Sequence, residues 1–100
     1  MIVGTWIKQF YEVEPVTMDF TRRFGAGESI LGATITSKNA DTGASVAGLL
    51  VGSVVIDPTG FVSQFVQGGV PGTSYILEYK AVTTIGRQVE DEVGITVKET

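Results

Sequence analysis

Two groups of residues could in principle hold an ion. The acidic run Glu90-Asp91-Glu92, with Asn39 and Asp41 as further oxygen donors, is the candidate for a hard cation. Calcium requires about six to eight oxygens at fixed spacing, and no calcium-binding loop is present. Adjacent residues of a strand alternate faces, so the three acids do not converge. Their expected role is solvated charge on a sheet edge, which discourages pairing with another sheet. The glycine cluster Gly68-Gly69-Val70-Pro71-Gly72 is the candidate for a phosphate cradle. A phosphate loop opens a helix, whose N-terminal N–H groups hold the anion. Here the loop leads into a strand, so it reads as a connection between sheets.

The remaining catalytic chemistries fail on composition. The chain has no histidine and no cysteine. The usual general base at neutral pH is missing, and so are the thiolate and imidazole ligands of zinc sites. Paired carboxylates could hydrolyse a glycoside, but a domain this small offers little cleft to hold a sugar and raise one carboxyl pKa. No enzyme activity, cofactor or metal is expected.

Charge argues against nucleic acid. The 100 residues carry 11 acids and 7 bases, a net charge of −4. Lys8, Arg22, Arg23, Lys38, Lys80, Arg87 and Lys98 are scattered, and only Arg22-Arg23 are adjacent. A phosphate-binding surface needs clustered cations. The N-terminus lacks the basic and apolar regions of a leader. The longest apolar stretch, 46–56, is broken by Gly48, Gly52 and Ser53 and is too short to span a bilayer. A soluble protein with no membrane partner is expected.

The elements that would position any surface are strands. Valine, isoleucine, threonine and aromatics dominate, and no window shows a helical stripe. Strands are expected over 6–11, 16–21, 30–37, within 49–56, and over 61–67, 74–84 and 88–98. Asp57-Pro58-Thr59-Gly60 has the residues of a tight turn. Val16, Met18 and Phe20 share one face, as do Ala33 and Ile35, then Tyr75, Leu77, Tyr79 and Ala81, then Val93, Ile95 and Val97. Thr34, Thr36, Glu92, Gly94, Thr96 and Lys98 are expected outside. About seven short strands in one unit of this length predict an all-β, immunoglobulin-like (fibronectin-III-like) antiparallel sandwich. The whole chain, 1–100, reads as one domain.

Three sets of aromatics stand out. Tyr75 opens the sixth strand, where sandwich tyrosines often bond their hydroxyl back to nearby backbone. Phe61 and Phe65 share one face of the fifth strand, opposite Val62, Gln64 and Val66. If the valines point inward, the phenylalanines form an exposed anchor for a partner. If the phenylalanines point inward, that patch disappears. Trp6 and Phe10 lie in the N-terminal strand, an element easily lent to a neighbour in an assembly.

The order of motifs from Tyr11 onward resembles the small immunoglobulin-like structural proteins of tailed bacteriophages and prophages. The residues that carry the resemblance are Thr17-Met18-Asp19-Phe20-Thr21, Gly25-Ala26-Gly27-Glu28-Ser29-Ile30, and Ala33-Thr34-Ile35-Thr36. They continue with Phe65-Val66-Gln67-Gly68-Gly69-Val70-Pro71-Gly72-Thr73-Ser74-Tyr75, Thr83-Thr84-Ile85-Gly86-Arg87 and Glu90-Asp91-Glu92. Members of that family often carry tryptophan where this chain has Ile35, so its core is packed differently. They often carry tryptophan at the Phe65 position too.

The resemblance implies a virion component assembled in the bacterial cytoplasm. It would dock without turnover onto capsid, head–tail neck or tail proteins, in a decorating or joining role, with a homo-oligomer possible. The shared motifs are structural, so no catalytic residue carries over. The candidate partner surface is Phe61, Phe65, Trp6 and Phe10. The alternatives are a carbohydrate-binding adhesion module on a tail or fibre and, from another class, a small hydrolase.

Overall fold

The computed structural model describes residues 2–9, 11–57 and 59–98, with residues 2 and 3 described as backbone. Phe10, one of the candidate anchors, lies outside the described residues. Seven strands form: β1 (Ile2–Gln9), β2 (Glu14–Asp19), β3 (Ile30–Asn39), β4 (Leu50–Asp57), β5 (Phe61–Val66), β6 (Ser74–Thr83) and β7 (Gln88–Lys98). Six match expected strands to within a few residues. The first starts earlier and ends sooner, and Tyr11 stands in a turn, almost fully exposed. Thr21 leaves the second strand for a short 3-10 turn, Thr21–Arg23.

The strands form two sheets, β1-β7-β6-β3 and β2-β5-β4. The second matches strands B-E-D of an immunoglobulin sandwich, and β3-β6-β7 match C-F-G. Every pairing is antiparallel except one: β1 runs parallel to β7, Trp6 opposite Ile95 and Gln9 opposite Lys98. That pairing corrects the expectation of a sheet edge for Glu92 alone: β1 lies beside β7 from Glu92 onward, whereas Glu90 and Asp91 have only β6 beside them among the described residues. Glu90 is exposed, Asp91 is buried, and Glu92 is half-buried and 3.6 Å from Lys38 Nζ. Gly94 and Thr96 are half-buried rather than exposed for the same reason: β1 covers that part of the strand.

The core lies between the sheets. Val16, Met18 and Phe20 of the β2 region meet Tyr75, Leu77, Tyr79 and Ala81 of β6 and Val93, Ile95 and Val97 of β7. Each fully buried apolar side chain contributes roughly 1.5–3 kcal/mol of transfer free energy. Ile35 is only half-buried, because β3 is the sheet's last strand.

A tyrosine hydroxyl ties the glycine loop to this core. Val70 N–H donates to the Tyr75 hydroxyl oxygen at 2.9 Å, as expected of a tyrosine corner. The glycine loop makes room for that ring. A Cβ on Gly69 would stand 2.7 Å from Val97 Cγ2 and 3.2 Å from Tyr75 Cε2, and Gly69 has φ of +90°. The loop therefore serves packing, which accounts for its glycines without an anion.

Candidate docking surface

The face of β5 is decided by its neighbours. Val62, Gln64 and Val66 are buried, and Phe61 and Phe65 are 37% and 43% exposed. The open alternative thus resolves with the phenylalanines outside. Gln64 is a polar residue on the inward face, and it stays there because its amide is used. Its Nε2 donates to the carbonyls of Val51 at 2.8 Å and Gly52 at 3.2 Å. Those carbonyls belong to a stretch of β4 where the register with β5 shifts between Val51 and Val55. The shift removes ladder partners, and the glutamine replaces them.

The register across β2-β5-β4 sets out the outer face in three rows. Pro15, Phe65 and Val51 form one row; Thr17, Ser63 and Val55 the next; Asp19, Phe61 and Asp57 the last. Val55 is 57% exposed. Thr17 and Ser63 hydroxyls satisfy each other at 2.6 Å. The face therefore carries five apolar side chains, Pro15, Val51, Val55, Phe61 and Phe65, around a Thr17–Ser63 pair, and ends at two aspartates.

Those aspartates are held by matching turns. Asp19 Oδ1 accepts from the Thr21 hydroxyl at 2.6 Å and its N–H at 2.8 Å. Asp57 Oδ1 accepts from the Thr59 hydroxyl at 2.7 Å and its N–H at 3.0 Å. Hydrogen bonds to the ionised form, the hydroxyl's first, keep both carboxyls below their ordinary pKa. Both are charged at neutral pH and flank the Phe61 ring. Gly60 lets the turns meet: Phe20 N–H donates to Gly60 C=O, and a Cβ there would sit 2.8 Å from Thr21 Cγ2.

Trp6 lies elsewhere, 45% exposed on β1, on the seam where β1 and β2 form the same side of the sandwich. Ile7 beside it is 64% exposed. Lys8, next along the strand, is buried, and its Nζ donates to the carbonyls of Gln9 at 2.8 Å and Gly68 at 3.0 Å. Burial pushes its pKa down, against the opposing pull of Glu12 and Glu14. An inward lysine on an edge strand is a known deterrent to sheet-to-sheet pairing. Trp6 and the two phenylalanines thus belong to separate surfaces.

The sequence reading missed the ion pairs around the 3-10 turn. Arg23 Nη1 donates to Asp91 Oδ2 at 2.8 Å and to Glu90 C=O at 3.0 Å. Arg87 Nη1 donates to Glu28 Oε1 and to Arg23 C=O. Glu28 is buried; the nearby Thr83 hydroxyl, the Gly25 N–H on Oε1 at 2.9 Å and Arg87 alongside hold its pKa below the ordinary value, while Oε2 has no hydrogen-bond partner among the described residues. Glu28, Arg87, Glu90 and Asp91 stand in the motifs quoted above and Arg23 between two of them, but their pairing across more than fifty residues of chain is a tertiary fact. Among the described residues no group of acids is placed to hold a metal.

The arrangement presents apolar and aromatic surface on rigid strands, with its charged groups engaged in structural bonds. No curated protein matches the chain. Residues 8–96 match the family described as Podophage GP4 fiber-tail adaptor protein gp77. That match spans nearly every strand, and the chain belongs to this family of phage fibre-tail adaptor proteins.

Proposed function

We propose that this domain is a static adaptor that joins tail and fibre components, and that it docks through the outer face of β2-β5-β4. Membership in the fibre-tail adaptor family supports a joining role over a decorating one. The observation that carries the docking face is the exposure of Phe61 and Phe65 on the same outer face as Pro15, Val51 and Val55. Isolated exposed apolar residues need no explanation, but exposed aromatics gathered with apolar neighbours on one sheet face mark an interaction surface. Aromatic anchors of this kind supply most of the binding energy of a protein interface. A sugar would instead need rings lining a concavity with convergent polar groups, and here Thr17 and Ser63 bond to each other.

The test is incorporation of Phe65→Ala and Phe61→Ala into assembled particles. Truncating a central aromatic anchor costs about 2 kcal/mol or more of binding, roughly a thirtyfold loss of affinity. Both variants should keep the melting temperature of the isolated domain while their copy number in particles falls. Normal incorporation of both would move the interface off this face.

A further inference from the structure

The two sheets are unequal: four strands face three. In an immunoglobulin sandwich the B strand carries an A strand on its outer side. Here β1 pairs with β7 instead, and β2 is the last strand of its sheet. Among the described residues no strand lies on the other side of β2. Phe20 N–H bonds to Gly60 C=O across the β2-β5 side, so by alternation Thr17 and Asp19 turn their N–H and C=O groups away from β5. Pro15, also on that side, has no N–H, so pairing is confined to the Thr17–Asp19 half of the edge. A groove adjoins that half, lined by Thr17, Met18 and Asp19 of β2 together with Trp6, Val93 and the charged Arg22, Arg23 and Asp91.

We propose that this groove takes a short, extended, uncharged segment of a neighbouring virion protein, which adds a strand to β2 and covers Trp6. The inference rests on the adaptor reading and adds a second, separate contact to it. Main-chain bonds to Thr17 and Asp19 supply the register, and an apolar side chain against Met18, Val93 and the indole supplies the burial. The groove's own charges fix the chemistry of the occupant. Arg23 and Asp91 neutralise each other at 2.8 Å, and Arg22 lies close enough to Asp19 to lower its pKa. The lining carries two positive and two negative groups, Arg22, Arg23, Asp19 and Asp91, so a charged segment would gain no net attraction there and would lose hydration. A neutral strand has no charge to desolvate, and its backbone groups pair with the exposed edge.

The test is amide hydrogen exchange on residues 14–19, in the isolated protein and in purified particles. The Thr17 and Asp19 amides should exchange freely in the isolated protein and roughly tenfold or more slower in particles. Thr17→Pro removes the edge donor and should lower incorporation by a similar factor, whereas Thr17→Val keeps the N–H and should incorporate normally. If Thr17→Pro does not fold, the exchange measurement alone decides. Fast exchange in particles that contain the chain would overturn the proposal. So would protection in the isolated protein that grows with its concentration, since a second copy would then fill the groove. Absence of the chain from particles is a different result, because it would remove the adaptor reading itself.

Discussion

The Tyr79 hydroxyl donates a 2.7 Å hydrogen bond to the Val16 carbonyl oxygen, tying β6 of one sheet to β2 of the other. Both residues are buried, so this polar contact sits inside the core. Tyr79→Phe keeps the ring and removes the bond that this carbonyl accepts from the other sheet. The expected loss is about 1–3 kcal/mol, read as a lower denaturant midpoint at unchanged slope. Burial also pushes the phenol pKa well above its ordinary value. Above that ordinary value, ~10, the unfolded chain releases the proton while the folded one keeps it. Stability in the native protein should therefore fall as pH rises past this point, and Tyr79→Phe should flatten the fall.

Tyr75 and Gly69 are expected to respond as one unit. Tyr75→Phe leaves the Val70 N–H unpaired and should cost about 1–3 kcal/mol. Gly69→Ala drives a Cβ against Val97 and the Tyr75 ring at a positive φ and should cost about as much or more. Thermal unfolding of the double variant should show less than the sum of the two, because both changes disturb the same corner.

Core and surface positions on neighbouring strands should separate clearly. Leu77→Ala and Ile95→Ala each open a cavity at a fully buried site and should cost about 2–5 kcal/mol. Ile35→Ala should cost less than either, since that side chain is only half-buried on the last strand of its sheet. Thr34→Ala, exposed on β3, should change stability by less than about 0.5 kcal/mol. Urea titrations of the four variants check the order.

Glu28 sets an acid limit on the 20–29 segment. Its folded pKa lies below the unfolded value, so the stability it contributes is present above the ordinary carboxylate range and is lost as pH falls through the folded pKa. Glu28→Gln should be less stable than the native protein at neutral pH. The difference should shrink on acidification and vanish once the native carboxyl is protonated. Melting temperatures from neutral pH down to below the carboxylate range give the curve.

Much of the architecture was legible in local residue order. Period-two alternation such as Tyr75-x-Leu77-x-Tyr79-x-Ala81 assigns faces because a strand's side chains have no other periodicity. Turn residues such as Asp57 and Gly60 mark where strands stop. Composition alone removed histidine and cysteine chemistry, and the order of the turn motifs indicated the kind of phage protein. The tertiary structure decided what depends on residues far apart in the chain. Phe61-Val62-Ser63-Gln64-Phe65-Val66 is apolar on both faces, so its inner face was set by what lay opposite and by Val51 and Gly52 carbonyls that needed the Gln64 amide. Glu92 looked like an edge residue until β1 paired beside it, because that neighbour lies at the other end of the sequence and joins β7 through backbone groups that every residue has. Asp91 and Glu28 were buried because Arg23 and Arg87 came to meet them. The place of β2 at the end of its sheet has no sequence mark at all. It is a consequence of which sheet β1 joined.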